Sequence, residues 1–186
     1  MDAPKAKPKT ARKPRAKAPP KEIEHDFYIL DNVVTFKLKG STSAYALVSA
    51  NKWPYVSKYD WYLGSAGYPC CYQIGKMTLH RFVYHYVLGD KPPDGMFVDH
   101  IDRNKLNNTD QNLRLATPQE NAFNKTTKSN LKGVKKISEG NYTASVTKDG
   151  KRHEMKNIPT EEAAAECYNM MAEELFGEFA AMNIKK

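Results

Sequence analysis

Residues 98–124 read VDHIDRNKLNNTDQNLRLATPQENAFN. Their chemistry-bearing side chains are a carboxylate beside an imidazole, Asp99-His100, and an amide, Asn121, close to the start of a helical pattern. Hydrolysis of a phosphodiester needs a base of near-neutral pKa to activate water. It also needs a hard cation to neutralise charge on the phosphorane and the leaving oxygen. Histidine suits the first task, and Asp and Asn oxygens suit Mg²⁺ or Mn²⁺, which keep several of their waters. Adjacent residues of a strand point to opposite faces. Asp99 and His100 therefore share one site only if the strand is distorted or the site wraps its end, and the sequence leaves both arrangements open.

The elements that must position these residues are partly legible. Residues 97–100 read as a short strand, the Asn/Asp-rich span 102–111 as a loop, and 113–116 as a return strand. Thr117 as N-cap, Pro118 at the first helical position and Glu120 three residues after the cap mark a helix start with a capping box. Upstream, residues 34–38 and 45–49 alternate as strands, and 61–63 with 68–74 read as a hairpin around a Gly-containing loop. Leu79, Phe82, Val83, Tyr86 and Val87 fall on one face of a helix that Gly89 and Pro92-Pro93 stop. Downstream, Gly140-Asn141 and Asp149-Gly150 split residues 131–158 into strands, and a helix follows from about Thr160 to Phe176.

The central segment resembles the HNH endonuclease family, in the branch found in phage and group I intron homing enzymes. The resemblance rests on Asp99-His100, on Asn107-Asn108 with Asn112-Leu113-Arg114, and on Glu120-Asn121. It implies His100 as general base, Asp99 and Asn121 as ligands of one Mg²⁺ (or Mn²⁺), and Asn112 as the central residue fixing the loop and the base. Asn124 is a weaker candidate. The upstream Leu79-His80-Arg81 also resembles the family, which implies that His80 and Arg81 approach the DNA phosphate. Asn121 stands where many relatives have His, which favours Mg²⁺ over zinc, and the absence of CxxC pairs excludes a structural zinc.

Charge segregates in the C-terminal part. Residues 132–156 hold seven Lys or Arg against Glu139, Asp149 and Glu154, whereas 160–178 hold six glutamates and no Lys or Arg. A duplex would accept the sheet and repel the helix, and an antiparallel ribbon enters the major groove as readily as a helix. The segment is similar to the AP2/ERF DNA-binding domain at Gly133-Val134, Tyr142-Thr143-Ala144, Glu161 to Ala164, Tyr168 and the LFGEFAAMN ending. That likeness implies groove contacts from Lys135, Lys136, Tyr142, Thr147, Lys151 and Arg152. Plant members carry Arg and Trp where this chain has Lys135, Lys136 and Tyr142, which weakens bidentate reading of guanine.

The expected architecture is α+β. It comprises a basic tail at 1–26, an HNH domain at 27–128 with an N-terminal β region and a ββα-metal core, and an AP2-like module at 129–186 with three antiparallel strands and one helix. Residues 1–22 carry eight basic residues against Asp2 and Glu22, leaving only +2 of the net +8 for the rest. This Pro- and Ala-rich segment reads as a disordered polyanion-binding tail; a solubilising extension and a nuclear import signal fit as well. Three cysteines, Cys70, Cys71 and Cys167, provide no disulfide framework and point to a reduced intracellular setting. The resemblance to phage and intron enzymes implies the cytoplasm or nucleoid of a phage-infected host, or the nucleus if the source is eukaryotic. No apolar run reaches the roughly 18 to 20 residues of a membrane span. Double-stranded DNA is the expected partner, without a membrane or a small-molecule cofactor. A non-catalytic DNA-binding regulator is the rival reading; an RNA-binding protein lacks the aromatic motifs that stack unpaired bases.

Overall fold

The computed structural model describes residues 23–87, 89, 91–125 and 131–183. The tail cations Lys5 to Lys21, Leu88, and the ends of the two expected domains at 126–130 and 184–186 lie outside the described residues. The chain is a mixed α+β protein in which a β-rich N-terminal part and a sheet-plus-helix C-terminal part each enclose a hydrophobic core.

The first sheet runs β1 (Phe27–Leu30), β2 (Val33–Lys37) and β3 (Tyr45–Ser49), all antiparallel. Val34 and Phe36 of β2 and Ala46 and Val48 of β3 alternate inward and are fully buried. Strand β1 has no such alternation, and all four of its residues are exposed. It forms because Asp31 and Asn32 adopt φ of 47° and 63°, the two-residue turn that closes a tight hairpin. His25, placed in the tail by its sequence context, packs on Trp53 and Phe36 and bonds the Ser57 carbonyl through Nε2 at 2.9 Å.

A short helix α1 (Trp53–Val56) leads to a second sheet of β4 (Tyr62–Leu63), β5 (Pro69–Cys71) and β6 (Met77–Thr78). Trp61 donates its indole N–H to the Val56 carbonyl at 2.9 Å, so its large ring is buried without an orphan donor. The helix expected after Leu79 is present as one α-turn, α2 (Leu79–Phe82), that widens into a π-turn at Val83–Val87. Leu79, Phe82 and Val83 close the core with Val34, Phe36 and Trp61.

The site hairpin follows: β7 (Phe97–His100), β8 (Asn107–Asn108), β9 (Leu113–Ala116) and α3 (Pro118–Phe123). Strands β7 and β9 pair antiparallel, with Asp99 opposite Arg114. Strand β8 pairs in parallel with β3 through Leu47 and Val48, tying the Asn-rich loop to the first sheet. The Thr117 capping box forms in full.

The C-terminal sheet is β10 (Val134–Ser138), β11 (Asn141–Lys148) and β12 (Lys151–Ile158), backed by α4 (Glu161–Phe176). Ala144 and Val146 of β11 meet Ala164, Tyr168, Met171 and Ala172 of α4. Gly133 sits at φ 69°, and an added Cβ there would collide with the Tyr168 ring and the Ser145 carbonyl. Glycine is therefore required by both torsion and space. No described helix is long and apolar enough to cross a membrane.

Candidate active site

Asp99 and His100 end strand β7, and the site wraps that end. Asp99 points toward β9 and α3, where its Oδ2 accepts from Arg114 Nε and Nη2, both at 3.2 Å, and from Asn124 Nδ2 at 2.9 Å. Asn124 Nδ2 also donates to the His100 carbonyl at 2.8 Å, fixing the backbone between the two residues. His100 turns the other way, against Asn108, His80 and Tyr68. Both nevertheless border one open cleft of about 300 Å³, lined also by Tyr68, Arg103, Lys105, Asn121, Asn124 and Lys125.

The tautomer of His100 follows from its partner. Asn108 is fully buried, and its Nδ2 donates to the Lys105 and Leu106 carbonyls at 3.3 and 3.0 Å, which fixes the amide orientation. Its Oδ1, which can only accept, lies 3.3 Å from His100 Nε2. Nε2 therefore carries the proton and Nδ1 keeps the lone pair of a base. Burial pushes the His100 pKa below the usual 6.5, opposed by the Asn108 bond and by Asp102 and Asp99, so the ring is neutral at physiological pH.

Asn112 holds the loop rather than the imidazole. Its Oδ1 accepts from the Asp102 amide at 2.9 Å, and its Nδ2 donates to Asp102 Oδ1 and the Asn107 carbonyl at 2.8 and 2.7 Å. Asn107 in turn donates to Asp102 Oδ2 at 2.8 Å, so three side chains lock the turn between β7 and β8. The side-chain partner of His100 is Asn108, a member of the Asn107-Asn108 pair that carries no separate role in the sequence reading.

His80 is buried against the His100 ring, with centroids 5.0 Å apart and edge to face, and against Tyr68 at 4.9 Å. Burial first, then His100 and Arg81, drives its pKa down to about 3, so it is a neutral wall of the site. Arg81 is exposed and lines a separate cleft with Met77, Lys91 and Met96. Burial, then Asp99, raises the Tyr68 pKa, and the Lys105 ammonium lies 4.5 Å from the Tyr68 ring centroid. Sequence reasoning missed Tyr68, Arg103, Lys105 and Lys125. It named Arg114 only as part of a motif, although hairpin pairing would have set Arg114 opposite Asp99.

The six expected groove contacts divide between two sheet faces. Lys135 pairs with Thr143, and Thr147 with Arg152, so Lys135, Thr147 and Arg152 share the face away from α4. Lys136 pairs with Tyr142, which packs toward the α4 core, and Lys151 pairs with Lys148, which bonds the Leu175 carbonyl.

The donor set suits a hard cation. All three bonds to Asp99 land on Oδ2, leaving Oδ1 without a hydrogen bond among the described residues. Asn121 lines the same cleft with its side chain unpaired among those residues. No group of three His, Cys, Asp or Glu side chains able to hold a metal occurs among the described residues. One carboxylate and one amide oxygen fit a hard divalent cation that takes its remaining ligands from outside the protein.

Residues 78–123 match the HNH endonuclease family. The chain is 60% identical over 182 residues, 95% of its own length and 97% of the relative's, to a protein of Acanthamoeba polyphaga mimivirus named as an uncharacterised HNH endonuclease. It is 42% identical over 93 residues to Protein 3.8 of Escherichia phage T7, covering 47% of this chain and 76% of that one. A SPbeta prophage-derived protein of Bacillus subtilis, named for an HNH homing endonuclease, is 53% identical over 45 residues, 24% of this chain and 25% of its own. No solved structure matches. With Asp99, His100 and Asn121 around one cleft inside the matched segment, and a relative alike over nearly its whole length, the chain belongs to the HNH endonuclease family.

Proposed function

We propose that this protein is a metal-dependent endonuclease that hydrolyses phosphodiester bonds of double-stranded DNA, working as a homing-type enzyme inside an infected host cell. The observation that carries the reading is the convergence of Asp99, His100 and Asn121 on one cleft edged by Arg103, Lys105 and Lys125. The three basic side chains draw in a phosphate and hold it beside the imidazole. His100, with Nε2 held by Asn108, takes a proton from water at Nδ1. Its depressed pKa keeps that lone pair free at neutral pH, and Asn112 keeps the turn behind it rigid. Asp99 and Asn121 would hold one Mg²⁺ or Mn²⁺, which when bound neutralises charge on the phosphate and the leaving oxygen.

In this reading residues 27–128 form the nuclease domain and 129–186 an AP2/ERF-like module whose basic sheet adds DNA affinity and site preference. The tail at 1–26 adds electrostatic anchoring. Supporting the module's role are the outward Lys135, Thr147 and Arg152 and the acidic α4 on the opposite side. The homing role rests on the name of the Bacillus subtilis relative. The test is cleavage of supercoiled plasmid with Mg²⁺, Mn²⁺ or EDTA, for the wild type and for Asp99→Ala and Asn121→Ala. Nicked or linear product that needs the cation, with both variants shifting the cation titration to higher concentration, is expected. Cleavage that persists in EDTA, or unchanged titrations in both variants, would remove the metal assignment.

A further inference from the structure

We infer that the C-terminal module is a working part of the nuclease site, because its Phe176–Phe179 turn and Lys132 position the two side chains that hold Asp99. This rests on the nuclease reading above. Asp99 is gripped by Arg114 and Asn124, and the module contacts Arg114 directly and Asn124 through its chain neighbours Phe123 and Lys125. Arg114 donates Nη1 to the Glu178 carbonyl at 2.8 Å, and its guanidinium lies 3.9 Å from the Phe179 ring centroid. The side chains of Arg114 and Asp99 are each only 10% exposed, so the ion pair depends on protein rather than water for its orientation.

Asn124 caps α3, and the module holds the end of that helix by two contacts. Phe176 stacks on Phe123 with centroids 3.5 Å apart and planes at 17°. Lys132 donates Nζ to the Phe123 and Lys125 carbonyls at 2.5 and 2.7 Å, satisfying acceptors at the helix C-terminus. On the Asp99 side that faces β9 and α3, both gripping groups thus lead back to residues 132–179. All three of their bonds land on Oδ2, so the grip decides where the open Oδ1 is presented. Phe176, Phe179 and Lys132 touch no reacting atom; they are positioning residues acting through Arg114 and α3.

The test uses the full chain with Phe179→Leu, which keeps bulk but removes the aromatic face, and Phe179→Trp, which restores it. Melting temperature is followed to confirm folding. Phe179→Leu should lower kcat for plasmid cleavage about ten-fold and raise the half-maximal Mn²⁺ concentration about ten-fold. KM for DNA should stay within about two-fold, and Phe179→Trp should recover most of the loss. Mn²⁺ affinity is measured in parallel by calorimetry without DNA, so that a wild type that fails to cleave sinks the nuclease reading without deciding this one. Weakened Mn²⁺ binding in Phe179→Leu, recovered in Phe179→Trp, supports positioning in either case. Mn²⁺ affinity and kcat unchanged in Phe179→Leu, a change confined to KM, or no recovery in a well-folded Phe179→Trp would overturn it.

Discussion

The site hairpin and the C-terminal sheet are both small β structures followed by a helix, yet they are held in opposite ways. Around β7, β8 and β9 the interior is polar: Asp99, His100, Asn108, Asn112 and Asn124 are all buried, and each has a hydrogen-bond partner. The C-terminal unit hides a plain apolar seam of Ala144, Val146, Tyr168 and Met171 and keeps its charges outside. A buried polar network fixes atoms in place, at the risk that losing one partner strands the others. An apolar seam tolerates more and leaves an entire face free for contact. The first arrangement suits chemistry and the second suits binding.

Substitutions sharpen that contrast. The largest effect is expected from His100→Ala, which should lower kcat by about a thousand-fold or more while DNA affinity stays within about three-fold. Fluorescence anisotropy beside cleavage assays reads both, and sustained turnover would dismiss His100 as the base. Asn112→Ala should cost about 2 kcal/mol in urea unfolding, because it strands the Asp102 amide and the Asn107 carbonyl. A loss below about 0.5 kcal/mol would mean that the polar network is not cohesive.

The next effect is in pH. His80 has a folded pKa of about 3 against an ordinary 6.5. Between those values the unfolded chain binds a proton that the folded chain refuses, so stability is full above about pH 6.5 and falls as the pH drops toward 3. From pH 7 to 5 the loss from this residue is about 2 kcal/mol, and His80→Phe should remove that part of the slope. An identical pH dependence in the variant would show that another group carries it. The smallest effects belong to the sheet. Lys135→Ala and Arg152→Ala should each reduce the salt slope of DNA binding by about 0.9, with less than half of that for Lys136→Ala and Lys151→Ala. Equal slopes across all four would break the division between the two faces.

The same contrast explains what could be read in the sequence. Strands β2, β3, β11 and β12, the capped start of α3 and the whole of α4 follow from local periodicity and turn residues. Strand β1 was not legible, because an exposed edge strand needs no apolar alternation. The two residues of β8 were also hidden, since their pairing with Leu47 and Val48 is a long-range fact. In the site, Asp99, His100 and Asn121 stood out by residue type, and their expected roles came from the resemblance to the HNH family. Tyr68 was not, because it reaches the cleft from a different hairpin. Asn112 was expected to fix both the loop and the base; its side chain bonds the loop, while the side-chain bond to His100 comes from Asn108, and only three-dimensional placement tells the two amides apart.

The two long-range supports of the hairpin also differ in when a ribosome makes them. Asp110, in the loop after β8, bonds Ser49 of β3, a residue sixty-one positions earlier and already synthesised when the loop emerges. Arg114 bonds Glu178, sixty-four positions later. A growing chain can therefore seat this loop at once, yet the brace that the turn after α4 places on Arg114 forms only later. Translation itself thus sets an order in which the side chains that hold Asp99 are made before the turn that braces one of them.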